Sequence, residues 1–360
     1  MKHLYKFIAL VFIFMIGIAF FSKSIPSISV STTTASSIQD STFPMVYLQV
    51  GESFINPLHG YSSELNSSTV RESITPLDTG KTFAVNIAEN DSKIKKLSYE
   101  LRDIANNKSI ETGDITAFDK NKKYKVATVH LKEAMDTSTE YGFCMTLITN
   151  YSKKIHFYTR IKYYDNDFFL SKKLDFVAKF HAATFDQGRS LDLSQYLESG
   201  TNDDSSYESV DIHSSRKLIT WGKLKPKRLT DVVPTVKELN IETAAISQTY
   251  FVSATTASGS ETYQVKEFYR VRYSGGRIYL LYFKRTMEAI FDPSLISINK
   301  SEVKIGISSA EDLDITSSDS NKKFAFVRNG SLWYYDLKKN ELNNVFSFET
   351  GNNDYIREYY

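Results

Sequence analysis

The chain has 360 residues, 44 Lys and Arg against 42 Asp and Glu, and a formal net charge of +2. That balance supplies no overall field for nucleic acid or an acidic polymer, so a charged partner has to be met by a local patch. The length exceeds what one core usually fills, and 23 Tyr and 24 Phe against 7 Pro and 15 Gly favour pleated, half-buried strands over disorder or helix bundles.

Lys2, His3 and Lys6 precede an apolar run from Phe7 to Phe21, broken only by Gly17, and Lys23 closes it. Counted from Leu4, the run lies at the boundary between a secretory signal and a spanning helix. Ser24 to Thr42 is rich in Ser and Thr and lacks a clear small-x-small cleavage site. Residues 1–23 are therefore read as an uncleaved signal anchor that meets the membrane through residues 4–21, and 24–44 as a linker. Cleavage and release is the alternative. Basic residues at the start place the N-terminus in the cytoplasm and everything after the run outside. Cys144 is the only cysteine, so no intramolecular disulfide forms, which points to a bacterial surface protein.

From Met45 the pattern becomes strand-like. Phe83, Val85 and Ile87 alternate with Ala84 and Asn86, Tyr124 to Leu131 is a β-branched run, and Gly142 to Thr149 with Ile155 to Tyr163 forms a hairpin. In that hairpin Ile155, Phe157, Thr159, Ile161 and Tyr163 share the predicted core face, with His156, Tyr158, Arg160 and Lys162 on the wet one. Lys93 to Ile104 fits both a helix and a strand, and the turn residues Ala105 to Lys108 favour the strand. Residues 45–166 are predicted to be an immunoglobulin-like β-sandwich.

Residues 167–292 are predicted to be an α+β unit of cystatin-like shape, a helical connector leading into an antiparallel meander. Leu170, Leu174 and Val177, with Phe169, Phe176 and Phe180, keep a helical spacing that Asp192 to Glu198 continues until Gly200. Ser205 and Glu208 have capping-box spacing, predicting a short helix that ends near Trp221-Gly222. Strands resume at Pro234. Val265, Tyr269 and Val271 share a face, and Gly275-Gly276 joins their strand to Arg277–Phe283 in a tight hairpin.

In the last segment, 293–360, Ser317 to Lys323 is a turn, Phe324 to Val327 a strand, Asn329-Gly330 a tight turn and Leu332 to Leu337 the return strand. This resembles one blade of TolB-like propellers, with Ser318 where the repeat has proline and Ser320-Asn321 where it has glycine. Val345 to Phe348 fits the outer strand of the blade. The resemblance implies a propeller-like region, and since a propeller takes several blades to close, a chain that continues past Tyr360 is expected. The arrangement as a whole is similar to large uncharacterised surface proteins of low-GC Gram-positive bacteria.

No two of the six histidines stand at metal-ligand spacing, and no nucleophile elbow, P-loop or dinucleotide glycine motif occurs, so no metal or other cofactor is called for. His181 and Asp186 bracket a helix end as a conceivable pair, and Cys144 sits in an apolar strand, where a thiol fills core. The main charge concentration is Arg216, Lys217, Lys223, Lys225, Lys227 and Arg228 around Trp221, a candidate grip for an anionic glycan, a wall polymer or lipid headgroups, and a second basic set, Arg270, Arg272 and Arg277, lies on the meander hairpin. The expected function is a membrane-anchored extracytoplasmic binding or scaffold protein of the bacterial cell surface, contacting polysaccharide or a partner protein but not nucleic acid. The alternative is the non-catalytic N-terminal part of a type II membrane peptidase or hydrolase.

Overall fold

The period-two alternation from Met45 to Tyr163 folds into ten strands: β1 (Met45–Val50), β2 (Ser53–Leu58), β3 (Ile74–Leu77), β4 (Thr82–Ala88), β5 (Ile94–Asp103), β6 (Lys108–Ile115), β7 (Asp119–Asn121), β8 (Tyr124–His130), β9 (Glu140–Thr149) and β10 (Lys154–Tyr163). The computed structural model describes residues 44–290 and 315–347, apart from 59, 67–70, 91, 107, 138, 166–167, 199–205, 257–258, 329–330 and 340. The predicted anchor, nearly all of the linker and the predicted stop at Gly200 lie outside the described residues. Among the described residues no helix is long and apolar enough to cross a membrane.

The ten strands form two five-stranded sheets, ordered β2-β1-β4-β8-β7 and β3-β10-β9-β5-β6. Pairing is antiparallel except between β3 and β10. Val46, Leu48, Val85 and Ile87 of the first sheet and Leu97, Leu101, Met145 and Phe157 of the second belong to one buried cluster. Phe83 and Phe143 meet edge to face across it, with ring centroids 5.3 Å apart. The sheets therefore pack face to face, each burying one side.

The strand prediction for Lys93 to Ile104 holds as β5, and the hairpin holds as β9 and β10. The predicted wet face of β10 does not hold. His156, Tyr158 and Arg160 are only 8%, 3% and 8% exposed. The segment before β3 covers them: Tyr61 and His156 exchange backbone hydrogen bonds, and the Leu65 N–H donates to the Tyr158 hydroxyl at 2.7 Å. Alternation reports which residues share a face, but not whether another segment lies over it.

The helix predicted after the sandwich is α1 (Leu170–Phe185), with Phe176, Val177 and Phe180 buried. It ends well before Glu198. The Asp186 carboxylate takes the N–H groups of Arg189 and Ser190, and Gly188 turns the chain at φ +77 while its N–H bonds the Ala183 carbonyl. A glycine at that left-handed position stops a helix, and Asp192 to Glu198 retains only the 3-10 turn Leu193–Gln195. The short helix predicted to end near Trp221-Gly222 is present, but it does not start at the Ser205–Glu208 spacing, of which Ser205 lies outside the described residues. Val210 lies in β11 (Ser209–Asp211), and the short helix α2 (Arg216–Ile219) is capped by Ser215, whose side chain accepts from the Leu218 N–H.

β12 (Lys227–Arg228), β13 (Thr235–Leu239), β14 (Thr243–Thr256), β15 (Gly259–Ser274) and β16 (Arg277–Ala289) complete a sheet ordered β11-β16-β15-β14-β12, with β13 also on β14. The Gly275-Gly276 hairpin holds, both residues having positive φ as the tight turn requires. α1 covers one face of this sheet, where Phe180 meets Tyr269 and Phe283 at 5.8 and 5.0 Å. Lys173 of α1, fully buried, donates to the carbonyls of Phe168, Asn240 and Ile241 at 2.8 Å each, which ties the β13–β14 turn to the helix.

The described residues form two compact units, 44–290 and 315–347. Within the first, one core cluster runs from the sandwich into the helix-covered sheet. Asn56 of β2 stitches the two parts: its Nδ2 donates to the Ile74 carbonyl, its Oδ1 accepts from Val236 N–H and its own N–H reaches the Pro234 carbonyl, all at 2.8–2.9 Å. Arg160 donates to the Lys237 carbonyl, and the Lys237 ammonium donates to the Glu72 carbonyl. Because the side chain of Asn56 is fully buried, these bonds replace water and hold the parts in one geometry.

The second unit is a four-stranded meander of β17 (Ile315–Ser317), β18 (Lys323–Arg328), β19 (Ser331–Asp336) and β20 (Glu341–Ser347). It matches the predicted strands, burying Phe326, Trp333, Tyr335 and Leu342. The predicted Asn329-Gly330 turn lies outside the described residues.

Candidate functional site

Three strands and one covering segment build a groove on the outer face of the second sandwich sheet. Pairing places Glu100, Cys144 and Tyr158 in one row across β5, β9 and β10, and Ser98, Thr146 and His156 in the next. Inward neighbours Leu97, Met145 and Phe157 are buried in the core, so the pleat forces the polar set outward. Glu64, Leu65 and Asn66 form the other wall. Two cavities of about 470 and 380 Å³ adjoin, both lined by Glu64, Glu100 and Cys144. That volume is the size of a small-molecule site.

The middle of the groove floor, formed by Cys144, Tyr158 and His156, is uncharged, and Glu64, Glu100 and Asp114 stand at its edges. Burial pushes the Cys144 thiol up to about 11; hydrogen bonds from Tyr158 and Thr146 only partly offset this, and the Glu64 and Glu100 charges reinforce it. Burial raises the Tyr158 phenol to about 12. The His156 imidazole is held below its ordinary value, mainly by burial, and shares a 3.1 Å hydrogen bond with Thr146. Glu100 is committed to Arg102 at 2.7 Å, and Asp114 to Lys96 at 2.8 Å. Such a floor can accept and donate hydrogen bonds, but a thiol held protonated is a poor nucleophile. Among the described residues no three His, Cys, Asp or Glu side chains converge to hold a metal ion.

The predicted basic set is split by the fold. Arg216, Lys217, Lys223, Lys225, Lys227 and Arg228 are exposed, and none of them forms an ion pair among the described residues. Trp221, the aromatic centre of the prediction, is only 1% exposed. Its φ of +63 and that of Gly222 at +47 turn the ring inward after α2, where the Arg285 guanidinium lies 3.5 Å over it. The cations thus form a charged rim without an exposed ring.

Beneath that rim lies a polar cluster that the sequence reading missed. Glu267, 1% exposed, accepts from the Tyr250 hydroxyl at 2.8 Å and the Tyr269 hydroxyl at 2.7 Å, and His181 Nδ1 stands 2.8 Å away. His181 Nε2 lies 3.4 Å from an Arg228 nitrogen, so His181 is engaged with Glu267 rather than with the predicted Asp186. Burial alone would raise the Glu267 carboxyl. The charge and hydrogen bond of His181, the Arg285 charge and the Tyr269 hydroxyl outweigh it and hold the group below its ordinary value. Burial, followed by the Glu267 charge, pushes both tyrosines well up. The signal was present in the sequence: Glu267 falls at period two between Val265 and Tyr269 on a face otherwise apolar. The cluster is closed and saturated with partners, which suits a structural role.

No protein-family model matches the chain, and no curated protein matches it either.

Proposed function

We propose that the chain is a membrane-anchored extracytoplasmic binding protein of the bacterial cell surface, whose sandwich groove takes a small polar ligand or the end of a larger one. The observation that carries this reading is the groove with the uncharged middle of its floor: a concave, hydrogen-bonding site on a sheet held rigid by its core, with the thiol in its unreactive form. Strand order supports an immunoglobulin-like sandwich, since β1-β4-β8-β7 follows the A-B-E-D order and β10-β9-β5 the G-F-C order. A helix laid across a long meander supports the cystatin-like shape, and the 315–347 meander the propeller-like blade. For the location, support comes from the basic-flanked apolar run at Phe7 to Phe21.

Two measurements test the two halves. With alkaline phosphatase fused after Tyr360, the enzyme should be active in intact cells and remain in the membrane pellet after a carbonate wash. A cytoplasmic, inactive fusion removes the location, and an active fusion in the medium replaces the anchor by a cleaved signal. In the full chain, Cys144 should react with iodoacetamide at pH 7 about a hundredfold more slowly than free cysteine, with the rate still climbing at pH 10. Reaction faster than free cysteine would overturn the reading of the groove as a binding site with an unreactive thiol.

A further inference from the structure

The outer face of the β15–β16 hairpin, away from α1 and from the groove, carries an ordered alternation of rings and cations. Three neighbouring cross-strand pairs are Phe268 with Lys284, Arg270 with Tyr282, and Arg272 with Tyr279. Each joins one aromatic to one cation, and the order swaps strands after the first pair. Phe268, Tyr282 and Tyr279 are 36%, 41% and 39% exposed, and Leu281, displaced by the bulge at Arg270/Val271, is 42% exposed. The other large exposed apolar residues, such as Tyr151 and Ile241, lie in separate places along the chain. The opposite face of the same strands is packed with Val265, Tyr269, Val271 and Phe283. Clustering on one wet face is what distinguishes a contact surface from ordinary exposed apolar residues.

The contacts within the face leave it available. Phe268 and Tyr282 meet edge to face at 6.0 Å, and the Arg272 and Arg277 guanidiniums lie 5.1 and 6.0 Å from the Tyr279 ring. Such contacts orient the side chains without burying them. Lys266 and Arg277 extend the row of cations at its two ends. Of the carboxylates on this face, Glu238 reaches Arg270 at 3.6 Å with both side chains more than half exposed, a weak surface pair, Asp211 of β11 stands opposite Lys284 with its carboxylate accepting from the His213 N–H and the Ser214 hydroxyl, and Glu288 stands at the far end opposite Gln264. The face therefore carries an excess of positive charge that the near-neutral chain as a whole does not.

We propose that this hairpin face binds an acidic polysaccharide, laid along the strands with sugar rings against Phe268, Tyr282 and Tyr279 and its anionic groups on Lys284, Arg270 and Arg272. Successive rows are spaced by two residues along β15, about 7 Å, so rings and cations recur at a short interval along the hairpin. Three of the flanking cations are arginines, whose planar fork matches carboxylate, sulfate and phosphate oxygens. A long paired hairpin suits an extended polymer. The choice of a glycan over single-stranded nucleic acid, which also pairs rings with cations, rests on the extracytoplasmic reading above, whereas the surface itself is independent of the groove.

The test uses the full chain in detergent with immobilised dextran sulfate and polygalacturonate, and with uncharged dextran, oligodeoxythymidylate and phosphatidylglycerol vesicles for comparison. One variant carries Arg270→Gln, Arg272→Gln and Lys284→Gln; a second carries Phe268→Ser, Tyr279→Ser and Tyr282→Ser. All six positions face solvent, and unchanged thermal melts establish that both variants fold. The expected result is retention on an acidic polysaccharide but not on dextran, with a loss of about tenfold or more in each variant. Retention on neither acidic polysaccharide overturns the proposal. So does a loss confined to the charge variant, which marks nonspecific attraction. Tighter binding to oligodeoxythymidylate or to vesicles overturns the glycan assignment, and in the nucleic-acid case an active phosphatase fusion shows that the location survives.

Discussion

Glu267→Ala is expected to destabilise the 44–290 unit by about 3–5 kcal/mol, seen as a lower urea midpoint at unchanged slope. The carboxylate is buried and receives Tyr250, Tyr269 and His181, so removing it strands three polar groups in the core in addition to losing their bonds. A loss under about 1 kcal/mol would mean that water or a rearranged side chain takes its place. The pH dependence has a defined sign. Because the folded carboxyl titrates below its ordinary value of 4.5, folding binds fewer protons than unfolding there. Its contribution is therefore complete above about 4.5 and disappears as pH falls through the depressed folded value. Glu267→Gln, unable to ionise, should lack that part of the acid limb, and an identical acid limb in the variant would contradict the linkage.

Arg285→Lys should cost about 2–4 kcal/mol despite keeping the charge. The guanidinium is fully buried, donates to the Ile219 and Leu218 carbonyls at 2.8 Å each, and stacks on Trp221. It thereby closes the C-terminal end of α2 onto β16. Burial lowers its affinity for a proton, and the neighbouring Tyr250 and Glu267 oppose that shift. An ammonium supplies neither the two-pronged donor nor the flat surface. In a Trp333→Phe background, where Trp221 is the one remaining indole, the variant should also shift tryptophan emission to the red. A stability change within about 0.5 kcal/mol and unmoved emission would show that the stack contributes nothing.

Tight turns and strand alternation are legible in the sequence because their deciding contacts are short-range. Gly275-Gly276 specifies its hairpin because tight turns need positive φ, and Phe83, Val85 and Ile87 declare a buried face by their own alternation. The C-terminal meander was legible for the same reason. Helix ends were read less well. Gly200 looked like the stop, but Gly188 and the Asp186 side chain end α1 earlier, because capping depends on which nearby N–H groups a side chain reaches.

The functional surfaces divide along the same line. Cys144 lies on a strand as expected but on its outer face and not in the core, and its groove exists because residues 64–66, far away in sequence, fold over β9 and β10. Trp221 and the cations around it are neighbours in sequence, and one left-handed turn separates them into core and rim. Composition and period-two patterning by themselves determined a β-rich chain, because they set which side chains each strand must bury. The tertiary structure alone decided that Glu267, His181, Tyr250 and Tyr269 meet, and that Phe268, Tyr279 and Tyr282 share a face with arginines. Those groupings are made by strand register and by covering segments, which bring together residues that no local rule relates.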